Sequence, residues 1–164
     1  MASVLVPDTS VIVDLERGRF LPALFRLEAT FTVPDLLYEQ ELREASGQSL
    51  IDLGLQIAHL DGKGVALAQS CARTVRSISL ADAFAFALAK NGGHTLLVGD
   101  GALRAFSESQ GVTCHGVLWV LDELEAAKLQ TAKQLRAGLI AIAGHRRCRL
   151  PRNFVDERLE RYSK

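Results

Sequence analysis

The chain has 164 residues, 48% of them apolar and 23% charged, which is enough for one domain with a sizeable core and unlike a disordered segment. Its 19 lysines and arginines balance 19 aspartates and glutamates, so no whole-molecule field draws a polyanion and a nucleic-acid partner must be met by a local patch. No apolar run is long enough to span a bilayer and the first residues lack a signal-peptide pattern, which predicts a cytoplasmic protein with no membrane partner.

Val4-Leu5-Val6 reads as a buried parallel strand handing over at Asp8-Thr9-Ser10 to a helix from Thr9 to Arg17, with Ser10 or Thr9 as N-cap, Val11, Ile12 and Leu15 inward, and Gly18 as the stop. The spacing of Leu21, Leu24, Phe25 and Leu27 predicts a helix over Phe20 to Ala29. Thr30 to Val33 alternates and is β-branched, giving a second strand. Pro34-Asp35 opens another helix with Leu36, Leu37, Tyr38 and Leu42 on its apolar side. One or two helical turns follow at Ser49 to Leu53, then a third strand over Leu55 to Leu60, with Asp61-Gly62 as a turn.

Val65 to Val75 is predicted helical. Ser79 to Lys90 is apolar almost all round and ends at Asn91-Gly92-Gly93, so that helix should lie in the interior. His94 to Val98 forms a fourth strand, Asp100 to Ser109 a helix and Val112 to His115 a fifth strand. From Val117 the pattern is helical through Ile142. Gly144 breaks it, and Arg146, Arg147, Arg149 and Arg152 precede a short helix at Val155 to Tyr162. Strands alternating with helices predict an α/β fold with a central parallel sheet, and the absence of repeats or linkers predicts a single domain, 1–164.

Three acids fall at comparable places: Asp8 after the first strand, Asp100 after the fourth, and Asp82 in the first turn of the very apolar helix. Glu39 or Glu41 lies on the helix after the second strand. Carboxylates sharing one pocket repel, and a hard divalent ion such as Mg²⁺ or Mn²⁺ relieves that repulsion while polarising a phosphoryl oxygen and activating water. Each acid also has a plainer explanation. Asp82 completes a Ser79-Leu-Ala-Asp capping box, Asp100 suits an N-cap, Asp8 suits a turn, and either glutamate could be a solvated helix charge. Joint placement at strand ends favours the functional reading.

V-P-D-T-S-V-I-V-D-L, V-P-D-L-L-Y-E-Q-E-L, S-L-A-D-A-F-A-F-A-L-A and T-L-L-V-G-D-G-A-L-R, in that order, resemble the PIN-domain ribonucleases, whose VapC-type members are the toxin halves of type II toxin–antitoxin pairs. The resemblance covers residues 3–118 and leaves 119–164 as a helical C-terminal extension. It implies a Rossmann-like three-layer α/β/α sandwich, hydrolysis of RNA, and Mg²⁺ or Mn²⁺ held by acids. Carried over by position, it makes Asp8, Asp82 and Asp100 metal ligands, with Glu41 as the fourth catalytic acid and Glu39 as its alternative. Thr9 and Ser10 fall beside the first ligand. It also implies an antitoxin partner and a homodimer.

Other patterns carry less. The three cysteines and four histidines have no zinc or disulfide spacing, and neither G-x-G-x-x-G nor a Walker motif is present. Arg17, Arg19 and the run from Arg146 to Arg152 either meet phosphates or an acidic partner, or are solvated. A receiver-type phosphorylated Asp8 is disfavoured because no aspartate follows two residues later. The rival to a ribonuclease is a PIN-like module that binds RNA or protein without turnover.

Overall fold

The computed structural model describes residues 3–164. Five parallel strands, β1 (Ser3–Pro7), β2 (Ala29–Pro34), β3 (Gln56–Ala58), β4 (Thr95–Leu97) and β5 (Cys114–His115), lie in the order β3-β2-β1-β4-β5 among the described residues. The chain builds outward from β1 on one side, then crosses back to build β4 and β5 on the other. In β1, Leu5 and Val6 are buried, as are Phe31 and Val33 in β2 and Leu96 and Leu97 in β4. Apolar residues on both faces are what a parallel sheet covered on both sides requires.

Helix α1 (Thr9–Arg17) follows β1. Its N-cap is Asp8 rather than Thr9 or Ser10, because the carboxylate accepts the Val11 N–H across the first turn. Inward Val11, Ile12 and Leu15 are buried, and Gly18 ends the helix. The helix expected over Phe20 to Ala29 shrinks to α2 (Leu21–Leu24). Successive tight turns then bring Ala29 into register with Ser3, so strand pairing takes the rest of that stretch.

After β2, α3 (Asp35–Leu37) runs into a wider π-helical segment, Tyr38–Gly47, followed by α4 (Gln48–Leu53). The third strand is three residues long. Asp61 then caps a helix, α5 (Gly62–Thr74), where a turn was expected, because its carboxylate accepts the Gly64 N–H. Helix α6 (Leu80–Gly92) buries five alanines and Phe86, packs against β1, β2 and β4, and carries α3, α5 and α7 (Gly101–Ser109) beside it. The small side chains let this helix approach the sheet closely.

One continuous helix from Val117 to Ile142 is not what forms. The chain breaks at Lys128, in the left-handed region with φ 56°, between α8 (Val117–Ala126) and α9 (Ala132–Ala143). A reciprocal Thr131/Gln134 capping box starts α9. Helices α1, α2, α8 and α9 pack on one another, with α10 (Arg152–Tyr162) on α9, so helices flank the sheet as the α/β expectation required. Gly138 lets α9 come very near α1: a Cβ there would sit 2.6 Å from the Gly18 carbonyl oxygen and 2.2 Å from Phe20 Cζ. Arg158 grips both Asp122 oxygens at 2.9 and 2.7 Å, and Arg161 reaches Asp122 and Glu125, which fastens α10 to α8. Among the described residues no helix is long and apolar enough to cross a membrane.

Candidate metal centre

The strand order turns back between β1 and β4, and crevices outside the carboxyl ends of strands at such a reversal are where open α/β sheets bind ligands. Pro7 pairs with Leu97, so the next residues of both strands, Asp8 and Val98, emerge side by side. The Asp8 N–H donates to the Leu97 carbonyl at 2.8 Å. Gly99 and Asp100 complete that end of β4.

Asp8 is only 1% exposed. Its Oδ1 accepts from the Ser10 hydroxyl at 2.8 Å and the Val11 N–H at 2.9 Å, and its Oδ2 accepts from the Gly99 N–H at 3.1 Å. A carboxylate has room for about four hydrogen bonds, so one acceptor position on Oδ2 stays open. A side chain at Gly99 would close the arrangement, since its Cβ would lie 2.4 Å from Ser10 Oγ. The Thr9 hydroxyl is buried and takes no partner among the described residues, so of the two hydroxyls beside Asp8 it is that of Ser10 that engages it.

Asp82 stands in the first turn of α6, where the Ser79 hydroxyl accepts its backbone N–H at 3.1 Å. The reciprocal half of the capping box, from the Asp82 carboxylate to the Ser79 N–H, does not form. Burial drives the Asp82 carboxyl up to about 7, helped by repulsion from Asp8, Glu41 and Asp100 and offset in part by Ser79. Burial likewise pushes Asp8 up to about 6 against its three hydrogen bonds, and Asp100 adds to the rise. No basic side chain is among the leading influences on either group.

The two glutamates part company on the π-helical segment. Glu39 pairs with Arg43 at 2.7 Å in solvent, whereas Glu41 accepts a long, 3.3 Å hydrogen bond from the Ser79 hydroxyl at the mouth of α6. Asp100 caps α7 by accepting the Leu103 N–H with Oδ1, and its Oδ2 meets Arg149 at 3.2 Å. The N-cap explanation therefore applies to Asp8 and Asp100 alike, yet the same two carboxylates also act on Asp82.

Asp82 and Asp100 line a cleft of about 720 Å³ together with Asp14, Arg17, Arg146 and Arg149. Sequence reasoning missed Asp14. It lies six residues after Asp8, just beyond the inward face of α1, and its carboxyl is raised by burial against the pull of Arg17 and His145. Arg149 lies 49 residues from Asp100, and no local pattern could have paired them.

Among the described residues no three His, Cys, Asp or Glu side chains stand together as a ready-made cage. The donor set nonetheless suits Mg²⁺ or Mn²⁺, which keep several waters and use one or two carboxylates. Asp8 and Asp82 offer hard oxygen donors whose charge burial disfavours, and the Asp100 carboxylate repels both.

No curated protein matches the chain significantly. Among solved structures, a PilT N-terminus domain protein from the hyperthermophilic archaeon Sulfolobus solfataricus is similar in fold. Its TM-score is 0.55 at 15% identity, over 77% of this chain and 94% of that one. A family model described as DUF3368, PIN domain, matches residues 4–164, including the helices beyond Leu118 that the sequence resemblance left out. PIN domains are generally nucleases and typically bind divalent metals. With its sheet order, its acids at the β1/β4 reversal and this match along nearly its whole length, the chain belongs to the PIN-domain family.

Proposed function

We propose that the protein is a Mg²⁺- or Mn²⁺-dependent endoribonuclease, the toxin of a type II toxin–antitoxin pair, with Asp8, Asp82 and Asp100 as metal ligands and Glu41 as the fourth acid of the site. The supporting observation is the convergence of Asp8, Asp82 and Asp100 at the sheet reversal, where burial first and neighbouring carboxylates second push the Asp8 and Asp82 carboxyls up. A bound divalent ion would supply Lewis-acid polarisation of the scissile phosphate and activation of a water.

The chain's own groups do the rest. Ser10, Val11 and Gly99 hold the Asp8 carboxylate in one orientation, with Oδ2 accepting a single hydrogen bond. Ser79 fixes the start of α6 and, through its hydroxyl, steadies Glu41. Asp100 keeps Oδ1 on its helix cap and can offer Oδ2 when Arg149 lets go. An antitoxin would act by covering this cleft in the cytoplasm.

Manganese-dependent cleavage of an RNA library, lost in Asp100→Ala, is the expected result, together with relief of growth arrest on overexpression by Asp8→Asn. RNA binding without turnover at any divalent-ion concentration would replace this reading with that of a binding module.

A further inference from the structure

The segment between α9 and α10 carries Arg146, Arg147 and Arg149 to the cleft that Asp82 and Asp100 line. It is held at both ends. Gly138 seats α9 against Gly18 and Phe20, and the Arg158–Asp122 fork ties α10 to α8. Inside it, the Cys148 N–H closes a turn onto the His145 carbonyl and the Arg147 N–H donates to His145 Nδ1.

Most exposed arginines near an acid in this chain are neutralised by it, as in Arg43–Glu39, Arg104–Glu108 and Arg152–Asp156. Arg146 and Arg147 have no ion pair among the described residues. Among the described residues Arg149 is paired only with Asp100, and its side chain is 74% exposed. An ion pair this exposed is weak and exchanges readily. Guanidinium groups suit phosphate oxygens in geometry as well as charge, and among the described residues no aromatic ring lines the cleft on which a base could stack.

We propose that Arg146, Arg147 and Arg149 form a phosphodiester-binding rim that holds the backbone of single-stranded RNA across the acid cleft, with Arg149 exchanging Asp100 for a phosphate when substrate arrives. This rests on the nuclease reading for the choice of ligand, but it concerns binding alone. The rim supplies the local positive patch that a chain of zero net charge needs in order to bring a polyanion to carboxylates. Recognition through the backbone carries little base preference.

The test is fluorescence anisotropy with a labelled 12-nucleotide oligouridylate in EDTA, where no cleavage occurs. Arg149→Gln and the double variant Arg146→Gln/Arg147→Gln should each weaken binding roughly tenfold. The slope of log affinity against log salt should fall by about 0.7 for each arginine removed, and an oligoadenylate should bind within about threefold of the oligouridylate. Arg149→Gln should also lower the Mn²⁺ concentration for half-maximal thermal stabilisation by about threefold, because Asp100 loses its competitor. Unchanged RNA affinity in all variants overturns the rim whether or not the protein cleaves RNA. Displacement of the RNA by polyglutamate at matched charge and equal affinity overturns it in favour of an acidic protein partner. Loss of binding in the variants from a wild type that never cleaves RNA supports the rim and sinks the nuclease.

Discussion

Two groups of acids stand at the carboxyl ends of the same sheet and meet different fates. At the β1/β4 reversal, Asp8 is buried and Asp82 half-buried close enough to feel its charge, and both carboxyls are raised. At the outer edge beyond β2 and β3, Asp35 meets His59 at 2.7 Å in solvent and Asp61 caps α5. Asp8, Asp61 and Asp100 share one local job, each accepting an N–H in the first turn of the helix it starts. What separates them is topology. At the reversal, two strand ends with α6 beside them bring carboxylates close enough to repel. Charge crowding, rather than the acid-then-helix motif, marks the candidate site.

The sharpest way to break this contrast is substitution on both sides of it. Asp8→Asn and Asp82→Asn keep the shape and remove the charge, and each should lower Mn²⁺-dependent RNA cleavage by about a hundredfold or more. Asp61→Asn should leave the rate within about twofold, since an amide oxygen can still cap α5. Steady-state cleavage of a fluorogenic RNA under identical Mn²⁺ decides it. An equal loss in Asp61→Asn would mean that the outer edge is as functional as the reversal.

Next in size is the pH dependence of stability. Asp8 at about 6 and Asp82 at about 7 lie above the ordinary 3.8, so the folded chain binds more protons than the unfolded chain between those values and stability falls as pH rises through that window. Asp8 alone corresponds to about 3 kcal/mol between the two limits. In EDTA the melting temperature should therefore drop from pH 5 to pH 8. Millimolar Mn²⁺ should restore about 5 °C at pH 8 and much less at pH 5, where protons compete for the same oxygens. A flat profile in EDTA would contradict the crowding itself.

Much of this was legible in the chain. Val4 to Val6, the alanine-rich stretch from Ser79 and the strand-end positions of Asp8 and Asp100 follow from period and punctuation, because burial on both faces leaves a plain apolar record. Three things were not. The different surroundings of Glu39 and Glu41 arise on the π-helical segment, where Glu41 accepts from Ser79 and Glu39 pairs with Arg43. The neighbourhood of Asp14 and Arg149 depends on how α9 and α10 dock, through contacts between residues far apart in sequence. The break at Lys128 leaves a trace in the Thr131/Gln134 capping box, which a helical pattern running from Val117 to Ile142 passes over.

A finer probe acts on the frame around Asp8. Gly99→Ala would place a Cβ 2.4 Å from Ser10 Oγ, forcing that hydroxyl off Asp8 while the Gly99 N–H bond to Oδ2 is kept in place by the strand. One lost hydrogen bond to a buried carboxylate is worth about 1–2 kcal/mol, or roughly 4 °C in melting temperature, and cleavage should fall several-fold as the carboxylate loosens. The same substitution in a Ser10→Ala background should cost much less, since the clashing atom is already gone. Full additivity in that double-mutant cycle would show that Gly99 acts elsewhere.

The smallest effect is expected at the outer edge. Asp35 accepts the Leu36 N–H at 2.8 Å with Oδ1 and holds His59 with Oδ2, but the His59 side chain is 81% exposed. Water solvates both partners there, and even an exposed ion pair contributes only about 0–1 kcal/mol. Asp35→Asn keeps an oxygen for the Leu36 cap and surrenders only the charge, so its unfolding free energy in urea should lie within about 0.5 kcal/mol of the parent at pH 7, with no change in the Mn²⁺-induced shift. A loss matching that of Asp82→Asn in the Mn²⁺ shift would place a cation at β2 and β3 as well, and would mean that strand-end acids serve this fold wherever they fall rather than only where the sheet reverses.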